Sequence, residues 1–153
     1  MQLHIVAASN RQPQWVDAAF AGYAKRFSGH LRLQYTQVRL ARNPDAERRR
    51  AEEGKKLLAA AASGACVIAL DEAGEGWTTR QLATMLEGWI RQAAKPCFVI
   101  GGPDGLADPV LAAARHRWSL SPLTLPHALA RVLVAESLYR ASSLLAGHPY
   151  HRE

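Results

Sequence analysis

Two short runs constrain this chain more than any other feature. Ala65-Cys66-Val67-Ile68-Ala69-Leu70 and Pro96-Cys97-Phe98-Val99-Ile100 contain no charged residue and no polar alternation. A strand with one wet face alternates apolar and polar side chains. A strand that is apolar on both sides must be covered on both sides, which is the setting of a parallel sheet between two helical layers. Both runs are followed by glycine-bearing turns and then by helical periodicity. The fold class that satisfies them is α/β, with helices on both faces of the sheet.

The rest of the sequence fits that frame. Gln2–Ala8, centred on His4-Ile5-Val6, reads as a first strand. Trp15, Ala18, Ala19, Tyr23 and Phe27 recur at helical spacing after Pro13, a residue tolerated in a first helical turn. Leu31–Leu40 alternates Leu31, Leu33, Tyr35 and Val38 with Arg32, Gln34 and Arg39, as an irregular second strand does. A helix is expected from Asp45 to about Ala62, stopped by Ser63-Gly64. Asp71–Trp77 reads as a loop. Thr78 or Thr79 then caps a helix through Leu82, Met85, Leu86 and Trp89. A short helix over Leu106–Arg115, a brief strand over Trp118–Leu120, and a long apolar helix from His127 to about Ala146 complete the series.

At 153 residues the chain is expected to form one domain over residues 1–153. Its 48% hydrophobic and 21% charged content is that of a globular domain. No apolar run approaches a membrane-spanning length. Met1-Gln2-Leu3-His4 puts no basic leader before an apolar block, so a cytoplasmic protein is expected. Cys66 and Cys97 are too few for a disulfide framework or a zinc site, and no metal is expected. Nineteen Lys and Arg stand against 13 Asp and Glu, a net charge of +6 in which Arg outnumbers Lys. Such a balance favours an anionic partner, and Arg is the better fork for phosphate.

Ligands of open α/β sheets lie beyond the carboxyl ends of the strands. That rule singles out Asp71–Trp77, Gly101-Gly102-Pro103-Asp104-Gly105 and Ser121-Pro122-Leu123-Thr124-Leu125-Pro126. The glycine loop matches neither the dinucleotide nor the phosphate-loop fingerprint, and a tight strand-to-helix turn would look the same. The proline-bracketed loop suits either a flat heteroaromatic ligand or a buried connector. Arg48-Arg49-Arg50, with Arg39, Arg42, Lys55 and Lys56, forms either a solvated helix face or an RNA contact. Glu136 and Arg140 stand four apart on the last helix, the spacing of an intrahelical pair. The tail Gly147-His148-Pro149-Tyr150-His151-Arg152-Glu153 packs two histidines, a tyrosine and an arginine into a chain end, where chemistry is uncommon.

These blocks in their order carry a resemblance that runs along essentially the whole chain. Ile100-Gly101-Gly102-Pro103-Asp104-Gly105-Leu106, Trp118-Ser119-Leu120-Ser121, Leu123-Thr124-Leu125-Pro126-His127, Arg131–Ala141 and His148–Glu153 are similar to the bacterial ribosomal RNA large subunit methyltransferase H family, of the SPOUT class. The resemblance implies a SPOUT-type sheet with a carboxyl-terminal trefoil knot. It implies a homodimer that methylates N3 of a pseudouridine in 23S ribosomal RNA of assembled ribosomes, with S-adenosylmethionine as donor. Carried over by motif, the cofactor pocket falls on Leu70, Gly101, Gly102, Leu120, Ser121, Pro122, Leu123, Thr124 and Leu125. His151, Tyr150 and Arg152 are the expected catalytic residues. Arg131, Arg140 and His148 are the expected RNA contacts.

Overall fold

A computed structural model describes residues 1–152. Five parallel strands form one sheet in the order β2-β1-β4-β3-β5. They are β1 (Gln2–Ala8), β2 (Arg32–Val38), β3 (Cys66–Gly76), β4 (Pro96–Ile100) and β5 (His116–Ser119). The helices are α1 (Gln14–Ala24), α2 (Ala46–Ala60), α3 (Thr79–Arg91), α4 (Asp108–Ala113) and α5 (His127–Leu145), and a 3₁₀ turn over Pro149–Arg152 ends the series. The α/β expectation holds. The loop expected at Asp71–Trp77 is instead mostly strand, because β3 continues to Gly76. It does so through an irregularity between Leu70 and Glu75, after which it pairs with β5 again.

The two apolar runs behave as their composition requires. All five residues of β4 are buried. Alternate strand side chains feed two cores. Leu3, Ile5, Ala7, Ile68, Phe98 and Ile100 pack with Phe20 of α1, Leu82, Leu86 and Trp89 of α3, and Val134 and Leu138 of α5. Val6, Ala8, Val67, Cys97 and Val99 pack with Leu57 of α2 and Val110 of α4. Helices α1, α3 and α5 therefore cover one face, and α2 and α4 the other. Helix α3 starts sharply because Thr78 and Gln81 form a reciprocal capping box.

The two central strands send the chain in opposite directions. After β3 it passes to the α3 face, and after β4 it passes to the α4 face. Two neighbouring strands whose connections diverge leave a crevice between their carboxyl ends, the place where such sheets hold ligands.

Candidate cofactor pocket and carboxyl-terminal tail

A cavity of about 600 Å³ fills that crevice. Leu70, Gly101, Gly102, Leu120, Ser121, Leu123, Thr124 and Leu125, all expected from the sequence, line it. Pro122 belongs to the same turn but is not part of the lining. Three further groups come from positions that the sequence left without a role. Asp71 and Glu72 lie on the extension of β3, Trp118 is the last residue but one of β5, and His127 opens α5. The two carboxylates were legible only as loop residues, because the sequence does not show that β3 carries them into the crevice.

The walls are fixed by backbone geometry. Gly105 N–H donates to the Gly102 carbonyl at 3.0 Å, and Gly105 has a φ of 84°, a conformation natural to glycine. A side chain at Gly101 would stand 2.8 Å from the Gly105 backbone. The proline-bracketed turn is internally bonded. Ser119 Oγ donates to the Ser121 carbonyl at 3.0 Å, and Ser121 Oγ accepts from Leu123 N–H at 2.9 Å. Thr124 Oγ1 donates to Glu72 Oε2 at 3.0 Å, which ties this turn to β3 across the cavity. Leu123 is 72% exposed, an apolar side chain left at the mouth.

The pocket therefore joins apolar walls to carboxylates. S-adenosylmethionine carries an adenine ring and a positive sulfonium, and the residues present fit it: leucines for the ring, backbone groups for its edge, and Asp71 and Glu72 for the positive charge. His127 is a neutral presence here. Burial pushes its imidazole below the ordinary value, and nearby Arg131 adds to that. The Gly101 and Ala8 carbonyls oppose the shift without reversing it.

The tail lies elsewhere. Tyr150 folds back on α5, where its hydroxyl donates to Glu136 Oε1 at 3.2 Å and its ring meets Tyr139 edge-on at 4.7 Å. Arg140 pairs with Glu136 at 2.6 Å and stacks over Tyr150 at 4.9 Å. Arg26, just beyond α1, lies over the rings of Tyr23, Tyr139 and Tyr150. Burial, then bonding to Tyr23 and the nearby Glu136 carboxylate, holds the Tyr150 phenol well above its usual value, so it stays protonated. His148 is exposed, and its Nδ1 accepts from Tyr150 N–H at 3.2 Å. Arg152 is exposed. The backbone of His151 lies in the 3₁₀ turn, but its side chain lies outside what the structure describes.

Pocket and tail thus engage different stretches of α5 in one chain, the first turn in one case and the middle in the other. His127 opens α5 at the pocket, while Glu136, which anchors Tyr150, is about 14 Å further along the axis. Arg131 also departs from its expected setting. It is 5% exposed, pairs with Asp17 at 2.8 Å and stacks on Tyr35 at 3.6 Å. In this chain it is an internal cation tying α5 to α1 and β2, not a surface offered to RNA.

Residues 1–151 match the family described as "Predicted SPOUT methyltransferase". Ribosomal RNA large subunit methyltransferase H of Thiobacillus denitrificans is 46% identical over the whole length of both chains. The crystal structure of TrmJ from Z. mobilis is similar over 94% of this chain and 70% of its own, with a TM-score of 0.53 at 18% identity, a likeness of fold. The SpoU methyltransferase AviRb from Streptomyces viridochromogenes, solved in complex with AdoMet, covers 92% of this chain and 57% of its own at 11% identity, with a TM-score of 0.47.

Proposed function

Since the chain belongs to the SPOUT methyltransferase family, we propose that it uses S-adenosylmethionine to methylate N3 of a pseudouridine in 23S ribosomal RNA, acting on assembled ribosomes in the cytoplasm as a homodimer. The observation that carries this reading is the crevice between β3 and β4, where apolar walls and two carboxylates meet. The whole-length likeness to a ribosomal RNA methyltransferase supports the substrate class. The +6 charge supports a phosphate-rich partner. Among the described residues, no helix is long and apolar enough to cross a membrane.

The bound donor would supply an electrophilic methyl group, so the protein's own tasks are alignment and proton removal. Glycine backbone and the Leu120–Leu125 turn hold and orient the donor; Asp71 and Glu72 balance its charge. The N3–H of pseudouridine is a weak imide acid, and His151 is assigned to accept its proton. Tyr150, kept protonated, stacks on or bonds the base, and Arg152 holds a phosphate. Arg140 and His148 flank them at the RNA. Arg131 supports α5 from within.

Within its own chain the tail is docked on α5 through the Tyr150–Glu136–Arg140 contacts, away from the first turn of α5 that lines the pocket. The tail that completes a site is therefore assigned to the second copy. Trp15 on α1 is 55% exposed, and Leu129 and Leu133 on the neighbouring α5 are 39% and 38% exposed, an apolar face that a second copy would cover. The trefoil knot belongs to the same reading. After β5 the chain returns past β3, through the Thr124–Glu72 bond, to enter α5 beside Gly101 and Ala8.

The decisive experiment offers labelled donor to ribosomes lacking the modification, and separately to protein-free ribosomal RNA, and then maps the labelled nucleotide. Label at one pseudouridine N3, with ribosomes preferred, is the expected result. Donor binding without any transfer to ribosomes or RNA would refute the substrate assignment.

A further inference from the structure

Arg49 stands in the triplet Arg48-Arg49-Arg50, which reads in sequence as solvated charge or RNA contact. Its guanidinium is already engaged. Nε donates to Asp104 Oδ2 at 2.8 Å and Nη2 to Asp104 Oδ1 at 3.2 Å, a two-pronged pair with the glycine loop. Nη1 donates to the carbonyls of Asn43 and Pro44, both at 2.9 Å. One residue thus binds the loop after β4 to the segment after β2.

Four residues along the same face of α2 lies Glu53, only 2% exposed. Its Oε2 accepts from Ala41 N–H at 2.9 Å. Its Oε1 has no hydrogen-bond partner among the described residues and stands 2.9 Å from where a Gly102 side chain would begin. Leu40 presses on the same point at 2.7 Å. The loop Gly101–Gly105 is therefore backed by α2 along its length, through a charged fork at Asp104 and a buried carboxylate beneath Gly102. Three of its five residues are glycines, whose freedom makes an unanchored loop costly to order. A planar fork removes that freedom because both its distance and its orientation are fixed.

We propose that Arg49 and Asp104 are positioning residues for the donor pocket, clamping the glycine loop to α2 so that its backbone meets the donor in a preformed arrangement. This rests on the reading of the crevice as the S-adenosylmethionine site. It also removes Arg49 from the surface available to RNA.

The test titrates S-adenosylhomocysteine into the full chain by calorimetry and measures donor KM and kcat on ribosomes. Asp104→Asn, which keeps the side-chain shape, is expected to weaken S-adenosylhomocysteine binding about tenfold, the scale of a lost charge-assisted bond. Donor KM should rise by a similar factor with kcat at saturating donor nearly kept. Arg49→Lys should behave alike, since an ammonium cannot fork. Arg49→Ala combined with Asp104→Asn should be no weaker than Arg49→Ala alone. Arg48→Ala, one position away, should keep donor affinity. Unchanged affinity in both single variants, or losses that add in the double variant, would overturn the clamp. So would a weakening that only tracks a lower melting temperature. No binding by the unsubstituted protein would overturn the cofactor reading itself, and the clamp with it.

Discussion

Gly101 and Gly102 are adjacent, yet different neighbours require them to be glycine. A side chain at 101 would meet the Gly105 backbone at 2.8 Å, which cannot step aside without remaking the turn. One at 102 would meet the ends of Leu40 and Glu53, which can rotate. Gly101→Ala is therefore expected to cost about 1–3 kcal/mol, as overpacking against fixed atoms does, and to abolish donor binding. Gly102→Ala should cost less and retain measurable binding. Denaturant melts paired with calorimetry rank the two; an equal loss in both would contradict the difference in neighbours. At this scale glycines and prolines marked the backbone turns by their own chemistry, and the family resemblance assigned those turns to a pocket, which most of the named residues do line. The sequence could not resolve Arg131 or Arg49. Whether an arginine faces water or a carboxylate depends on residues brought from far along the chain, Asp17 in one case and Asp104 in the other.

Helix α5 connects pocket and tail while keeping them apart. Its apolar residues read from sequence as a helix buried around much of its circumference, and Val134, Ala135, Leu138 and Ala141 are indeed buried. The spacing of Glu136 and Arg140 also announced their pair. The docking of the tail onto that pair did not show, since nothing local says that Tyr150 returns to Glu136. Removing Tyr150–Glu153 deletes the contacts of Tyr150 with Glu136, Tyr139 and Arg140, and none of the described residues of that segment lines the pocket. Methylation of ribosomes is expected to vanish while S-adenosylhomocysteine affinity stays within about twofold, because distant sites act independently. Retained transfer would remove the tail from the chemistry. The extension of β3 is a second element-scale surprise. Asp71-Glu72-Ala73-Gly74 is polar and glycine-bearing, so it reads as loop, yet pairing with β5 resumes beyond it and brings two carboxylates to the cavity.

For the molecule as a whole, the separation of pocket and tail along α5 makes the proposed homodimer testable. Gly101→Ala spoils only the pocket, and the tail deletion spoils only the tail. If the tail serves the partner's pocket, a mixed dimer has one intact site, and mixing two inactive variants should restore activity. If each tail serves its own pocket, mixing restores nothing. The acid limb of stability is also a whole-molecule property. His4, His116 and His127 are each held below 6.5, in every case first by burial. As pH falls through 6.5 the unfolded chain takes up protons that the folded chain refuses, so stability is full above that value and declines below it. Denaturant midpoints at pH 7.5 and 5.5 should show the fall, and His127→Gln should flatten it. By itself the sequence determined the parallel sheet, its two covered faces, the glycine and proline turns and the basic balance, because each follows from local periodicity or residue chemistry. Tertiary structure alone decided which arginines are spent inside, which carboxylates enter the crevice and where the tail comes to rest. Those outcomes depend on contacts between residues many positions apart, and no local pattern encodes such a distance.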